Sequence, residues 1–177
     1  VAKPVVKNVT LTRDYPGYLT AENSVDIVGR VNGTLLSKLY PSGTKVKKGQ
    51  TLFVVDPTLY QNAVKQAEAS LKTAKANLEY AKSNYERMKE AIKSEAVSRI
   101  QLVQAETNVQ SCEAEVSNAE AELKTAEVNL NYCYIKSPID GIADLAEFSD
   151  GAYISGEGNP VKLTTVYKYD KMYAYFD

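Results

Sequence analysis

The 177-residue sequence contains no histidine and only two cysteines, and each shortage excludes a class of site. Without an imidazole there is no histidine general base, no histidine-containing triad and no histidine metal ligand. Two cysteines are too few to build a zinc site alone. The Gly-x-Ser-x-Gly elbow of hydrolases and the glycine-rich phosphate loop are also missing. We therefore expect no catalytic residue, no metal and no cofactor, and a protein that is not an enzyme.

An excess of one charge and a long apolar run are missing too. The sequence has 21 lysine and arginine residues against 22 aspartate and glutamate residues, a net charge of −1, whereas a nucleic-acid-binding domain is normally basic. The longest apolar runs, such as residues 52–55, are far shorter than the roughly 20 residues that cross a membrane. The sequence predicts neither a nucleic-acid partner nor a membrane-spanning helix.

Residues 58–130 contain no glycine and no proline, and their apolar residues recur at alternating spacings of three and four. This average of 3.5 residues is the repeat of a left-handed coiled coil. Two ordinary surface helices on a globular core are the alternative, but their 3.6-residue period would drift over this length. We therefore predict two coiled-coil helices whose shared line of contact, the seam, contains Tyr60, Val64, Ala67, Leu71, Ala74, Leu78, Ala81, Tyr85, Met88 and Ile92 on the first helix and Leu102, Ala105, Val109, Cys112, Val116, Ala119, Leu123, Ala126 and Leu130 on the second.

Capping residues predict where the two helices begin. Asp56 followed by Pro57 is typical of an N-cap and a first helical residue. Ser98 and Gln101 form an S-x-x-Q capping box, in which two side chains satisfy free backbone N–H groups at a helix start.

We expect the first helix to end near Lys93 and the second to begin at about Arg99, with only residues 94–97 between them. So short a link makes the helices antiparallel neighbours, in which facing residue numbers sum to about 190. Cys112 then lies roughly 27 Å from the helix end that precedes Cys133, which is too far for a disulfide. Cys112 is predicted to be a seam residue, and Cys133 is predicted to lie in a buried strand.

The charges of the two predicted helices differ in sign. The first helix carries seven basic and four acidic residues, and the second carries two basic and six acidic residues. Opposite charges beside the seam favour this pairing, although each exposed ion pair contributes only ~0.2–1 kcal/mol.

The segments on either side of the helices repeat each other. Residues 27–46 align without a gap with residues 135–154, at an offset of 108, and both share an apolar–Asn/Asp–Gly frame with a second glycine ten residues later. Both glycines of each copy suit turns that need a positive φ. Residues 35–40 and 51–55 are predicted strands. Two half-motifs around a helical pair imply a small β-sandwich in which the halves fold onto each other.

Two motifs give these halves a family resemblance. The first half of a lipoyl/biotinyl-type domain is similar to the pattern Val46-x-x-Gly49-x-x-Leu52-x-x-x-Asp56, preceded by Gly33 and Gly43. The opening of its second half is similar to Ile135-Lys136-Ser137-Pro138-Ile139-Asp140-Gly141. A lipoyl-like fold split by a helical hairpin resembles the periplasmic adaptor subunits, or membrane fusion proteins, of bacterial tripartite efflux pumps of the resistance-nodulation-division (RND) type.

The resemblance implies an α+β fold. Its elements are a lipoyl/biotinyl-like β-sandwich in two sequence halves, an inserted antiparallel α-helical coiled-coil hairpin, and partial β-barrel strands at both ends. The rest of the barrel is expected beyond Asp177. The expected domain boundaries are 1–22 for strands leading from the barrel, 23–56 for the first lipoyl-like half, 57–130 for the hairpin, 131–165 for the second half and 166–177 for the start of the barrel.

The resemblance also implies a function and partners. Such adaptors link an inner-membrane transporter, here expected to be an RND proton antiporter, to an outer-membrane channel for the efflux of drugs and other small molecules. Self-association as a hexamer or a trimer of dimers is expected. The expected location is the periplasm, with an anchor to the inner membrane in a segment outside this chain.

In this family the hairpin tip that docks the channel carries an Arg, a Leu four residues later and a Ser seven residues further. These positions fall on Arg87, Ala91 and Ser98, so that Ala91 replaces the Leu and Ile92 lies beside it. The resemblance thus implies a partner-binding site of Arg87, Ala91, Ile92 and Ser98. Simpler interpretations are a solvated or glutamate-paired Arg87, a Ser98 that only caps a helix, and an Ile92 that belongs to the seam.

A lipoyl or biotinyl carrier domain of an acyl- or carboxyl-transfer enzyme is the alternative function. A carrier needs a modifiable lysine at the turn between its halves, where this sequence has Asp56-Pro57 and the helices. Lys45, Lys47 and Lys48 lie on an earlier turn and are predicted to be solvated. The adaptor is therefore the favoured interpretation.

Overall fold

Two long helices interrupt a series of short strands in the computed structural model, which confirms the expected α+β fold. The structure describes residues 16–94, 97–156, 158 and 160–176, together with residues 4, 7, 8, 10 and 13. The helices are α1 (Thr58–Ala91) and α2 (Arg99–Tyr132), with a 3-10 turn at Ile92–Ser94. The strands are β1 (Gly17–Ala21), β2 (Ser24–Gly29), β3 (Gly33–Lys38), β4 (Lys45–Val46), β5 (Thr51–Val55), β6 (Tyr134–Lys136), β7 (Gly141–Ala143), β8 (Tyr153–Ile154), β9 (Val161–Tyr167) and β10 (Met172–Phe176).

Eight of these strands form two four-stranded antiparallel sheets around one core. The strand orders are β2-β9-β7-β4 and β6-β5-β3-β8. Exchanging each strand for its counterpart in the sequence repeat (β2 with β6, β3 with β7, β4 with β8 and β5 with β9) turns one order into the other. Each sheet also combines strands from both halves. The prediction that the two halves fold onto each other as a sandwich is therefore confirmed.

The buried core draws on equivalent positions of the two halves. Because strand side chains alternate between faces, the same alternation in both copies places the same repeat positions inside. The pairs of equivalent residues that are buried in the shared core are Ile27 and Ile135, Leu35 and Ala143, and Val46 and Ile154, each 108 residues apart. Leu52 and Leu163, and Val55 and Val166, are buried in the corresponding strands β5 and β9 and lie 111 residues apart.

Asn32 and Asp140, which share one position of the repeat, make the same bond across the two halves. The Asn32 side-chain oxygen accepts the N–H of Gly156 at 2.9 Å, and the Asp140 carboxylate accepts the N–H of Lys48 at 2.8 Å. Lys48 and Gly156 are themselves 108 residues apart, so the two bonds are equivalent. In each half, this side chain accepts a hydrogen bond from a backbone N–H of the other half. That role explains why the repeat has Asn or Asp at this position.

The two glycines of each repeat serve different purposes. Gly43 and Gly151 have φ angles of 75° and 88°, as predicted for turns. Gly141 has no positive φ, so the same prediction was wrong there. Position 141 requires glycine for a steric reason, because a Cβ at Gly141 would lie 2.5 Å from the carbonyl oxygen of Tyr167. Gly33 has the predicted positive φ, at 157°, and a Cβ there would also lie 2.7 Å from the Val55 side chain.

The helices pack side by side along the predicted seam. Every predicted seam position on both helices is buried or half-buried, and nearly all positions between them on α1 are exposed. The most buried residues are small ones, with Ala81 only 1% exposed. Small side chains at the contact let two helices approach each other closely. The coiled-coil prediction is confirmed.

Two ion pairs between the helices confirm their antiparallel pairing and the predicted charge complementarity. Lys75 Nζ lies 3.2 Å from the Glu120 carboxylate, and Lys82 Nζ lies 3.0 Å from that of Glu113. The residue numbers sum to 195 in both pairs, near the predicted 190. All four side chains are about half exposed, so these contacts set the register more than the stability.

The start of α1 differs slightly from the prediction. The helix begins at Thr58 with Pro57 as its N-cap residue, so the predicted N-cap at Asp56 was one residue too early. Pro57 has φ and ψ angles of −85° and −2°, in the helical region that suits a proline at the first position of a helix, and it makes no side-chain cap itself. The Asp56 carboxylate nevertheless accepts the Thr58 N–H at 3.0 Å and its hydroxyl at 2.6 Å. These hydrogen bonds lower the pKa of Asp56.

Both cysteines are free and buried, as the distance argument predicted. Cys112 lies in the seam. The prediction that Cys133 lies in a strand was wrong, because its φ and ψ of −66° and −25° are helical and it forms the C-cap of α2. The strand β6 starts one residue later.

A separate two-stranded sheet joins β1 to β10, with the expected barrel strands as its members. Tyr18 on β1 and Tyr175 on β10 stack with ring centres 5.4 Å apart. Most of the expected strand region at residues 1–15, and Glu95 and Ala96 of the helix link, lie outside the described residues. The domain boundaries at 22, 56, 130 and 165 remain predictions.

Candidate docking site at the hairpin tip

The hairpin tip is formed by the last turn of α1, the 3-10 turn that follows it and the first turn of α2. The chain leaves the α-helical path at Ile92, whose N–H points back to the carbonyl groups of Met88 and Glu90. It re-enters a helix at Arg99. All four predicted site residues therefore lie within about one and a half helical turns of the tip.

Ser98 forms the predicted capping box. Its hydroxyl accepts the N–H of Gln101 at 3.3 Å, and the Gln101 side chain accepts the N–H of Ser98 at 2.9 Å. An extended backbone at Ser98 (φ −83°, ψ 155°) aims the hydroxyl at the helix start. The serine is also exposed, so its cap leaves one side of the residue open to a partner.

Arg87 is exposed one turn before the end of α1. Its neighbours neutralise each other, since Lys89 lies 3.9 Å from Glu86 and Lys93 lies 2.8 Å from Glu90. The contact with Lys93 lowers the pKa of Glu90. Among the described residues no carboxylate pairs with Arg87. Its guanidinium carries five N–H donors, and none of them is engaged by a carboxylate of the described residues.

Ala91 and Ile92 are only half-buried, but both are turned partly inward. Ile92 occupies the last seam position of α1, as the simpler interpretation held. Ala91 carries a single methyl group where the family pattern has a Leu. Neither residue presents a large apolar surface at the tip.

Two apolar residues at the tip were missed by sequence reasoning. Ile100 is 71% exposed and Val103 is 58% exposed, both at the start of α2. The signal was present in the sequence, because these residues fall outside the three-and-four spacing of the seam that begins at Leu102. Apolar residues that break such a pattern are exposed in a two-helix hairpin.

The described residues hold no group of three or more Cys, Asp or Glu side chains placed to bind a metal ion. Within the same part of the chain, neither long helix is apolar enough to cross a membrane. The tip itself combines the arginines Arg87 and Arg99, two lysine–glutamate ion pairs, the capping hydroxyl of Ser98 and exposed aliphatic groups. Its chemistry suits contact with another protein surface.

Residues 63–133 match the family model described as the α-helical hairpin domain of RND membrane fusion proteins. The antibiotic efflux pump periplasmic linker protein ArpA of Pseudomonas putida is 35% identical over 171 residues, which cover 93% of this chain and 40% of ArpA. The hairpin of this chain belongs to the RND membrane fusion protein family over residues 63–133. The match lies on the hairpin and reaches Cys133, where the second half of the sandwich resumes.

Two further comparisons extend the similarity to most of the chain. The multidrug resistance protein MdtA of Pantoea ananatis is 33% identical, over 92% of this chain and 41% of MdtA. The crystal structure of MacA from Actinobacillus actinomycetemcomitans superposes with a TM-score of 0.64 at 29% identity, over 88% of this chain and 52% of that one. The chain spans about 40% of the length of the curated relatives that it matches.

Proposed function

We propose that this chain is part of a membrane fusion protein, acting as a periplasmic, non-enzymatic adaptor in a tripartite efflux pump. It links an inner-membrane transporter of the RND proton-antiporter type to an outer-membrane channel, for the efflux of drugs and other small molecules. Copies of the chain assemble around the channel axis as a hexamer or a trimer of dimers. An anchor to the inner membrane lies in a segment outside this chain.

The observation that carries this proposal is the antiparallel hairpin on its sandwich base. Two helices of 34 residues each give a rod about 50 Å long. The seam and two interhelical ion pairs hold the rod together along its length. A rod of that reach suits a protein that spans a gap between two membrane components. Relatives named as efflux pump linkers support the same function.

The docking end is the tip defined by Arg87, Ala91, Ile92 and Ser98. Arg87 offers a guanidinium that pairs with no described carboxylate, and Ser98 is an exposed residue with a hydroxyl group. Both are suited to hydrogen bonds with carboxylates or amides of the channel. Ala91 and Ile92 lie between Arg87 and Ser98 in the sequence. They are half-buried and so let the channel surface approach the tip closely.

Charge reversal at Arg87 tests this docking role. In the full-length protein, Arg87→Glu is expected to abolish export of a fluorescent dye from cells, while circular dichroism shows unchanged helix content. Lys65→Glu, an exposed charge reversal near the base of the same helix, is the matched control and should export normally. Normal export by Arg87→Glu would remove the docking role of that residue.

Separate variants at Ser98 distinguish capping from docking. Ser98→Ala keeps the small size but loses the cap, at a cost of about 1 kcal/mol in helix stability. Ser98→Asp keeps a capping side chain but places a negative charge on the surface. A docking role predicts that Ser98→Asp impairs export more than Ser98→Ala does, whereas a cap alone predicts the opposite order.

The carrier-domain alternative has less support. The sandwich half ends at Val55 and α1 begins at Thr58, so a helix stands where a carrier presents its lysine on a tight turn. Intact mass spectrometry of the protein from its own cells tests the alternative, because lipoate or biotin on any lysine would revive it.

A further inference from the structure

A groove of about 300 Å³ lies at the base of the hairpin, between the edges of the two sheets. Its walls are β2 and β6, which are edge strands of their sheets and equivalent strands of the sequence repeat. The last two residues of α2 also line it. The groove is therefore bounded by both halves of the sandwich and by the hairpin.

Most of the groove lining is apolar or aromatic. The walls include Val25 and Val28 of β2, Tyr134 of β6, Pro138 and Tyr132 at the end of α2. Small-molecule sites in proteins are typically clefts of roughly 300–1,000 Å³ with such a lining and a few polar groups. The groove is at the lower end of that range.

Three charged side chains line the groove, and the one carboxylate among them is already engaged. Lys162 Nζ lies 2.9 Å from the Asp26 carboxylate, and the Thr165 hydroxyl donates to the same carboxylate at 2.8 Å. These hydrogen bonds lower the pKa of Asp26. The other two charged residues, Arg30 and Lys136, form no ion pair with any carboxylate that the structure describes.

Further acidic side chains around the junction also have partners. Glu147 lies 4.0 Å from Lys162, and Glu127 lies 3.5 Å from the lysine three residues before it. The Asp56 carboxylate is used by the backbone and hydroxyl of Thr58. The two cations of the groove are therefore available to an anion.

The guanidinium of Arg30 is positioned by an aromatic ring. Its central carbon lies 5.3 Å from the centre of the Tyr132 ring, a cation–π contact. A guanidinium that stacks on a ring keeps its in-plane N–H groups for hydrogen bonds, and two of them match the oxygens of a carboxylate, sulfonate or phosphate. Arg30 is thus suited to bind an anion beside an aromatic surface.

A peptide strand is a poor occupant for this groove. Edge strands that are short, bulged or followed by proline resist the addition of another strand. The register of β2 shifts between Ile27 and Val28, β6 has only three residues, and Pro138 follows two positions after its end. The groove is also too small for both acyl chains of a phospholipid. A small molecule fits these limits better.

We propose that this groove binds a small amphipathic organic anion. Its apolar or aromatic body lies against Val28, Tyr134 and Pro138. Its carboxylate, sulfonate or phosphate group is bound by Arg30 and Lys136. The ligand contacts both halves of the sandwich and the end of α2 at once, and its binding is independent of docking at the hairpin tip.

Titration of the full-length protein with anilinonaphthalene sulfonate tests the site. This probe combines an aromatic body with one sulfonate, and its fluorescence rises in apolar surroundings. Arg30→Gln with Lys136→Gln is expected to weaken binding by about tenfold or more, because two charge-assisted hydrogen bonds are lost. Lys47→Gln with Lys48→Gln removes the same charge from an exposed turn and is the matched control, which should bind normally. Unchanged affinity in the Arg30/Lys136 variant would overturn the proposal.

The uncharged analogue N-phenylnaphthylamine separates the contribution of charge from that of apolar contact. It is expected to bind the unaltered protein several-fold more weakly than the sulfonate, and to bind the Arg30/Lys136 variant as well as it binds the unaltered protein. Equal affinity of the unaltered protein for the two probes would mean that the groove does not select an anion, and the proposal would be wrong.

Photolabelling locates the bound probe. An aryl azide derivative of the sulfonate is expected to label residues 25–30 or 131–138, as identified by mass spectrometry of peptides. Val28→Phe, which fills the groove, should prevent this labelling while circular dichroism shows unchanged secondary structure. Labelling confined to other parts of the protein would contradict the proposal, whatever the affinity of the probe.

Discussion

The structural reason for a glycine is clearest where equivalent positions of the two halves of the sandwich can be compared. Gly43 and Gly151 are required by a left-handed backbone, whereas Gly141 is required by the closeness of a neighbouring strand. Gly33 combines a positive φ of 157° with such a close approach. A sequence repeat alone does not separate these reasons, because both produce a glycine.

Alanine substitutions at Gly43 and Gly141 should distinguish the conformational requirement for glycine from the steric one. Gly43→Ala meets open space and costs about 1–2 kcal/mol for its positive φ alone. Gly141→Ala places a Cβ against backbone that cannot move without breaking the β7–β9 pairing, so a larger loss of unfolding free energy is expected. Urea unfolding of both variants measures the difference. Equal losses would mean that the strands separate easily at this point.

Cys133 should be chemically inert in the folded protein. Burial, with a smaller contribution from the Asp56 carboxylate, raises the pKa of its thiol to about 11. Only the thiolate is nucleophilic, so iodoacetamide at pH 8 is expected to leave Cys133 unmodified until denaturant is added. Because the folded pKa is the higher one, the folded state keeps a proton that the unfolded chain releases, and stability should fall as pH rises from about 9 to 11. Peptide mapping that finds rapid alkylation of the native protein would contradict this.

Among the elements, the hairpin depends on small residues at the centre of its seam. Ala74, Ala81, Ala105 and Ala119 are all at most 9% exposed, and Cys112 is 8% exposed. There is little unfilled space between helices in such close contact. The narrow seam is therefore more sensitive to added volume than to lost charge.

Ala81→Leu should destabilise the hairpin. Three added carbon atoms at a position that is 1% exposed force the helices apart, at a cost of about 1–3 kcal/mol. Ala76→Leu, on the exposed face of the same helix, is the control and should change stability little, since alanine and leucine differ little in helix propensity. Thermal melts followed at 222 nm compare them. An unchanged melting temperature for Ala81→Leu would mean that the seam is loosely packed.

The whole molecule contains two separate sources of stability. The hydrophobic core of the sandwich draws its buried residues from the sandwich itself, and Tyr60 of α1 packs against its edge. The chain also enters and leaves the helices at nearly the same place, because the Val55 N–H donates to the carbonyl oxygen of Cys133 at 2.9 Å. The hairpin is thus an insertion into a base that is closed without it.

Removal of the hairpin should leave a folded sandwich. Replacing residues 58–132 by a short Gly-Ser turn deletes the packing of Tyr60 and its 2.8 Å hydrogen bond to the Asn32 carbonyl. We expect a cooperative thermal transition at a lower temperature, with strand-type circular dichroism. A gradual, non-cooperative melt would show that the helices are needed to assemble the base.

Prediction from sequence succeeded where the signal is local or repeated. The seam follows from a spacing of three and four, and the capping box follows from two residues three positions apart. The exchange of strands between halves did not follow from the sequence, because strand pairing joins residues far apart in the chain. The exposed pair Ile100 and Val103 was not predicted, because the coiled-coil repeat describes only the apolar residues of the seam. Arg87 and Ser98 lie where the resemblance put them, and their docking role remains a proposal.

The joint entry and exit of the helices, at Val55 and Cys133, has a mechanical consequence. The helical hairpin is attached to the sandwich at one end only, so a small rotation at this junction moves the tip over a large distance. A tilt of 10° at its foot displaces the far end of a 50 Å rod by about 9 Å, nearly the width of a helix. Modest repacking around Tyr60 could therefore aim or withdraw the tip without bending the helices.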